Sequence, residues 1–205
     1  MPLWLAGEPL VLASKSAIRH ALLRDAGVPL EVYPADIDER TIEQRSPAHD
    51  AGELAALLAR EKARTIAARL PGRLVLGADQ TLALGERRFS KPGDRAGARA
   101  QLEALRGRTH ELHTAIALVR EGAILFEHRE VARLTMRAFS DSFLEAYLDA
   151  FEQLDTDPLQ LIAANARRDR SPHGIEIGFE KAIGKGAHGE PCHLAVLEHD
   201  RALSH

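Results

Sequence analysis

"RLVLGADQTLALGERRFSKPGD", residues 73–94, decides how the rest of the chain is read. Residues 73–78 are an aliphatic run that reads as a buried strand. The run ends in an acid, Asp79, and twelve residues later Lys91 stands against Pro92. A carboxylate at the end of an apolar strand is costly to bury without a partner, and a metal, a base or an incoming ligand can supply one. Asp79 is therefore a candidate functional residue on chemical grounds alone. Lys91 adds a cation across a charged loop, and phosphate chemistry is a natural match for such a pair.

Working outward from this strand, helices and strands alternate. "PLVLA" (9–13) is a second short apolar run, followed by Ser14, Ser16 and the helical spacing of "AIRHALLRDAG", with Ser16 as N-cap and Gly27 as stop. "LEVYPADIDER" (30–40) reads as a strand entering an acidic loop. Residues 50–70 carry the clearest helix. Asp50 and Glu53 fit a capping-box variant, Leu54, Leu57, Leu58 and Ile66 share a face, and Pro71 and Gly72 close it. Beyond the opening stretch, Asp94 caps a helix through Leu105. "THELHTAIALV" and "AILFEHREVARLTMR" are two long strands around a turn at 120–122, and Ser142 with Glu145 forms an S-x-x-E box before "FLEAYLDAF". This order predicts an α/β fold with a mixed, twisted sheet flanked by helices. The readable pattern covers residues 1–155, and residues 156–205 form an atypical C-terminal segment rich in glycine and histidine.

Composition narrows the function. The chain has 205 residues, 45% of them hydrophobic, which is enough for a real core. Its 27 basic and 30 acidic residues leave a formal charge of −3, which argues against a general nucleic-acid binder. The single cysteine, Cys192, excludes an internal disulfide and fits a reducing compartment. "MPLWLAGEPLVLA" contains Glu8 and Pro9 and is too short to span a bilayer, so a soluble cytoplasmic protein is expected, with no membrane partner.

Several other residues can carry chemistry, each beside a plainer reading. At "LASKSAIR", Ser14, Ser16, Lys15, Arg19 and the backbone amides can form an anion pocket, or an ordinary cap with solvent-facing bases. Asp36, Asp38 and Glu39 can supply paired carboxylates for Mg²⁺, or a solvated acidic loop; strand alternation would put Glu39 on the side opposite Asp36 and Asp38. Lys62 lies near the edge of the leucine stripe, where most lysines reach to water. "GKGAHG" (184–189) matches G-x-G-x-x-G literally, but Pro191 blocks a helix start after it. His110 and His113, three apart in a strand, point to opposite faces and make no zinc site. His188, Cys192 and His193 are read as incidental.

Taken together, "LASKSAIRHALL", "DIDE", "AREKA", "GADQT", "SKP" and "THELHTAIAL" resemble, in order and spacing, the Maf family of nucleotide pyrophosphatases. The resemblance covers residues 10 to about 150. It implies a fold related to the inosine-triphosphate pyrophosphatases, hydrolysis of a nucleoside triphosphate to monophosphate and pyrophosphate, a divalent cation (Mg²⁺ or Mn²⁺) and a homodimer. Carried over residue by residue, Ser14 and Arg19 match the phosphate-binding element and Glu39 the acid of I-D-E. Lys62 matches the lysine of A-x-x-K-A, Asp79 the proposed proton acceptor, and Lys91 the lysine before proline. Asp79 and Glu39 would hold the metal, with Lys62, Lys91 and Arg19 neutralising the triphosphate.

Three departures shape the expectation. Ala17 and Ile18 stand where the family usually has Pro-Arg. Gln80 follows Asp79 where members acting on dTTP and UTP have threonine; Asp-Gln looks like the branch acting on 7-methyl-GTP, and Gln80 is taken as a substrate-side residue without assigning a base. The closing motifs G-x-Y-x-x-Q-G and G-L-P are not found after Ala150. The expected activity is pyrophosphate release from a nucleoside triphosphate, including modified or non-standard ones. The alternative is a catalytically impaired nucleotide-binding or cell-division regulatory protein. A kinase is disfavoured because G-x-x-x-x-G-K-[ST] is missing.

Overall fold

In a computed structural model, residues 4–45 and 50–154 are described. The segment 156–205, with "GKGAHG", His188, Cys192 and His193, lies outside the described residues. The elements run β1 (Leu10–Ala13), α1 (Ala17–Asp25), β2 (Leu30–Val32), α2 (Glu39–Arg45), α3 (Ala51–Ala67), β3 (Val75–Leu84), β4 (Arg87–Phe89), α4 (Arg95–Leu105), β5 (Thr109–Arg120), β6 (Ala123–Thr135) and α5 (Asp141–Leu154). The strands form one sheet in the order β2-β1-β3-β5-β6, with β4 beside β3. β1 is parallel to both β2 and β3, and Ala13 stands opposite Gly77. Two-residue loops join β3 to β4 and β5 to β6, which makes those pairs antiparallel. The expected α/β fold with a mixed sheet is what the chain adopts.

The described residues divide into two compact units, one from the residues up to 88 with 112–132 and the other from 89–111 with 133–154. In the first, the sheet buries both faces. Val11, Ala13, Val75 and Val119 pack on Ala63, Ile66 and Ala67 of α3. Leu10, Leu12 and Leu76 pack on Leu23 of α1 with Ile116 and Leu118. A strand covered on both sides reads as a continuous apolar run, which is why "PLVLA" and the start of β3 were legible. The expected end of that strand at Ala78 is corrected: β3 continues through Asp79 to Leu84, and β4 occupies part of the stretch read as a loop. In the second unit, Ala98, Leu102 and Leu105 of α4 are buried, as are Met136 and Leu144, Tyr147 and Leu148 of α5. Arg95 pairs with Glu145 and Asp149 there, and Arg106 lies over the Phe139 ring at 4.7 Å. Among the described residues, no helix is long and apolar enough to cross a membrane.

The local signals had mixed success. Ser16, Asp50 and Asp94 each cap the helix expected of them, accepting the N–H of Arg19, Glu53 and Gly97. The cap of α5 is a correction. Ser140 accepts the N–H of Phe143 at 3.2 Å, two residues ahead of the expected Ser142. The acidic loop after β2 is also corrected, because α2 begins within it at Glu39.

Candidate functional site

The site is built where β1 ends beside the middle of β3, which runs on past Asp79 to Leu84. Because Ala13 stands opposite Gly77, Ser14 comes level with Ala78, and Asp79 lies one step beyond. Ser14 is buried, and its Oγ accepts the Ser16 N–H at 3.2 Å and an Arg19 guanidinium N–H at 3.1 Å. Capping by Ser16 starts α1 immediately, so the first turn carries Arg19 back over the end of β1. Two amides of this junction, those of Ser16 and Arg19, are engaged by the serines themselves. What the junction presents is a half-buried guanidinium braced by Ser14. Lys15 faces out and pairs with exposed Asp36 at 3.5 Å.

The acidic run is sorted by a helix cap. Asp38 accepts the Thr41 backbone N–H at 3.1 Å and the Thr41 hydroxyl at 2.7 Å, and these hydrogen bonds hold its carboxyl below the usual range. Asp38 is thereby committed to starting α2, and Glu39 becomes the first residue of that helix. Strand alternation does not govern these three acids, since β2 ends at Val32. Glu39 reaches Lys62 instead, with 2.7 Å between Oε1 and Nζ.

Lys62 is the centre of the cluster. It sits midway along α3, is buried at 8% exposure, and its ammonium also donates to Asp79 Oδ1 at 2.5 Å. Lysines on such a stripe normally escape to water, but here two carboxylates hold the head group in place. Asp79 projects from β3 toward α3 on the same side as Val75 and Gly77. Gly77 makes the approach possible: a Cβ there would lie 2.0 Å from the Ala59 carbonyl oxygen and 2.8 Å from the Ala63 nitrogen. Sequence reasoning missed that role, although a glycine inside a strand is the signal for close backbone contact.

Burial raises the Asp79 carboxyl above the usual carboxylate range, against the pull of Lys62 and Arg19, and Glu39 adds to the rise. Burial also lowers the Arg19 guanidinium from its ordinary value, while Asp79 and Glu39 oppose that. Ser14, Arg19, Glu39, Lys62 and Asp79 thus form one electrostatic unit in which Glu39 stays half-exposed. Gln80 does not join it. It lies on the opposite face of β3, exposed, and donates through Nε2 to Thr114 Oγ1 at 2.8 Å. Lys91 is exposed and belongs to the second unit.

The arrangement fits a hard divalent cation. Two carboxylates converge on a single cationic position, and Mg²⁺ is commonly held by one or two carboxylates with water and phosphate oxygens completing its shell. Among the described residues no group of three or more His, Cys, Asp or Glu gathers as a metal cage. An ion bound between Glu39 and Asp79 would therefore take its remaining oxygens from water or substrate.

Known proteins resemble this chain along most of its length. A nucleoside triphosphate pyrophosphatase of Rhodopseudomonas palustris strain BisB18 is 58% identical over 149 residues, covering 73% of this chain and 74% of the relative. A 7-methyl-GTP pyrophosphatase of Mesorhizobium japonicum is 46% identical over 145 residues, covering 69% and 72%. Among solved structures, a HAM1 protein from Coxiella burnetii aligns at 21% identity with a TM-score of 0.41, covering 62% of this chain and 72% of that one. That last likeness is too loose to argue from. The family model described as Maf-like protein matches residues 9–157, most of the sequence, and the chain belongs to that family.

Proposed function

We propose that this chain is a nucleoside triphosphate pyrophosphatase, releasing pyrophosphate from a nucleoside triphosphate and leaving the monophosphate. The carrying observation is the Lys62 ammonium held between Asp79 and Glu39, with Arg19 alongside. A polyphosphate anion needs cations that the fold has already placed, and a water needs a base. The names of relatives up to 58% identical support the same reaction.

In this reading, Asp79 accepts the proton of a water that attacks the α-phosphorus. The bond from that phosphorus to the bridging oxygen breaks, and pyrophosphate leaves with the electron pair. Asp79 is assigned as the base from its position, a buried carboxylate beside Lys62 and Arg19. Arg19, braced by Ser14, and Lys62 neutralise phosphate oxygens, and Lys91 is assigned a similar role from its place before Pro92. Glu39 and Asp79 would hold Mg²⁺ or Mn²⁺, which supplies charge stabilisation at the phosphoryl oxygens when bound. No base is assigned, although Gln80 directly after Asp79 favours including methylated guanosine triphosphates among the substrates tried.

The test is a panel of common, methylated and deaminated triphosphates with Mg²⁺ or Mn²⁺, read by pyrophosphate release. Asp79→Asn should lower release at least about 100-fold, the scale of losing a general base. Equal release by wild type and variant ends the proposal. Calorimetric binding of a triphosphate without any pyrophosphate would point to a nucleotide-binding protein instead.

A further inference from the structure

The contact that organises the site also closes it. Lys62 Nζ lies 2.5 Å from Asp79 Oδ1 and 2.7 Å from Glu39 Oε1, so one ammonium fills the gap between the two candidate ligands. We infer that Lys62 and a divalent cation are mutually exclusive occupants of the point between Glu39 and Asp79, so that cation binding must expel the Lys62 ammonium and release it toward the polyphosphate. The inference rests on the reading of the site as a pyrophosphatase centre.

Three features support the exchange. An ammonium in contact with both oxygens leaves no room for a second cation on the same pair, and two positive charges at that separation repel strongly in a buried setting. The lysine stem has four rotatable carbons and a compact head, so it can leave without moving α3. Glu39 is half-exposed, which gives the ammonium an open side to leave by, whereas Asp79 is fixed in β3. Lys62 is then a positioning residue before the cation arrives and a phosphate contact afterwards.

Mn²⁺ binding to the nucleotide-free protein, measured by calorimetry and electron paramagnetic resonance, tests this apart from turnover. Lys62→Met and Lys62→Gln should bind Mn²⁺ at least about tenfold more tightly than wild type, because the competing charge is gone. In wild type, titration with Mg²⁺ should move the Lys62 ammonium signal, followed by nitrogen-15 NMR, from its carboxylate-bonded position to that of a free lysine. Equal or weaker Mn²⁺ binding by the variants overturns the inference, as does a Lys62 signal that stays put at saturating Mg²⁺. The NMR arm decides the matter even where a variant fails to fold. If neither wild type nor variants bind Mn²⁺ at all, the exchange falls, while pyrophosphate release from the panel separately decides the activity.

Discussion

His110 shows how burial turns a single side chain into a pH-dependent element. It lies on β5 within the second unit at 3% exposure, and its Nδ1 has no hydrogen-bond partner. Burial holds its pKa below the ordinary histidine value, opposed in part by the nearby Arg108 backbone. The sign follows directly. The unfolded chain gains its proton near pH 6.5, the folded chain only at lower pH, so acid favours unfolding across that window. The contribution of neutral His110 is intact above about pH 6.5 and is lost as the pH falls through its folded value. His110→Gln should therefore melt with a shallower acid-side decline than wild type. The difference should be at most one proton's worth, about 1.4 kcal/mol per pH unit. Parallel melting curves from pH 7 to 5 would show that His110 carries none of the decline. At this scale the sequence was partly legible. Asp79 declared itself as an acid in an apolar run, although it stands inside β3 and does not close it, and Ser16, Asp50 and Asp94 declared themselves as caps, because those signals are local. Lys62 did not, since periodicity names the helix face on which a residue lies and not the carboxylates that wait there.

Elements are positioned by what their backbones allow, and two positions expose this. Gly77 is the point where β3 touches α3, with the Ala59 carbonyl and the Ala63 nitrogen where a Cβ would stand. Gly77→Ala should cost about 3 kcal/mol in urea unfolding, at the upper end of overpacking effects. Adding Ala63→Gly should not restore it, because the nearest obstruction is the helix backbone itself. A loss below about 0.5 kcal/mol would mean that β3 and α3 can part freely, and the Lys62–Asp79 contact would lose its structural basis. Glu121 is the opposite case. With Gly122 it forms the two-residue loop between β5 and β6, and its φ of 50° is the only positive value at a non-glycine among the described residues. Two consecutive positive φ values specify a type I′ turn, which asparagine accepts better than glutamate. Glu121→Asn should stabilise by about 0.5 kcal/mol, seen as a rise in melting temperature, and an unchanged or lower value would show the strain relieved elsewhere. The turn was legible from its glycine and its flanking strands. α2 was not, because its start depends on Asp38 capping through Thr41 within a run that looks merely acidic.

For the molecule as a whole, strand and helix alternation was enough to reach an α/β fold, since burial on both faces writes continuous apolar runs. The sheet order β2-β1-β3-β5-β6 was beyond reach, because a hydrophobic pattern reports which face is buried and never which strand lies alongside. The same limit divides the candidate site. Ser14, Arg19, Glu39, Lys62 and Asp79 all belong to the first unit, whereas Lys91 belongs to the second, on the exposed stretch between β4 and α4. Its catalytic role therefore rests on the sequence, as the lysine before Pro92, and needs its own measurement. If Lys91 neutralises phosphate charge, Lys91→Met should raise KM about tenfold, the effect of roughly 1.4 kcal/mol of lost binding. It should also flatten the ionic-strength dependence of kcat/KM, because a charge that attracts the substrate has been removed. Stability should stay within about 0.5 kcal/mol of wild type, as expected for an exposed side chain. Lys91→Arg should recover part of the loss, since the charge is kept while the head group changes shape. Kinetics for Lys91→Met that match wild type at both low and high salt would remove Lys91 from the machinery and leave the first unit's five residues to carry the reaction.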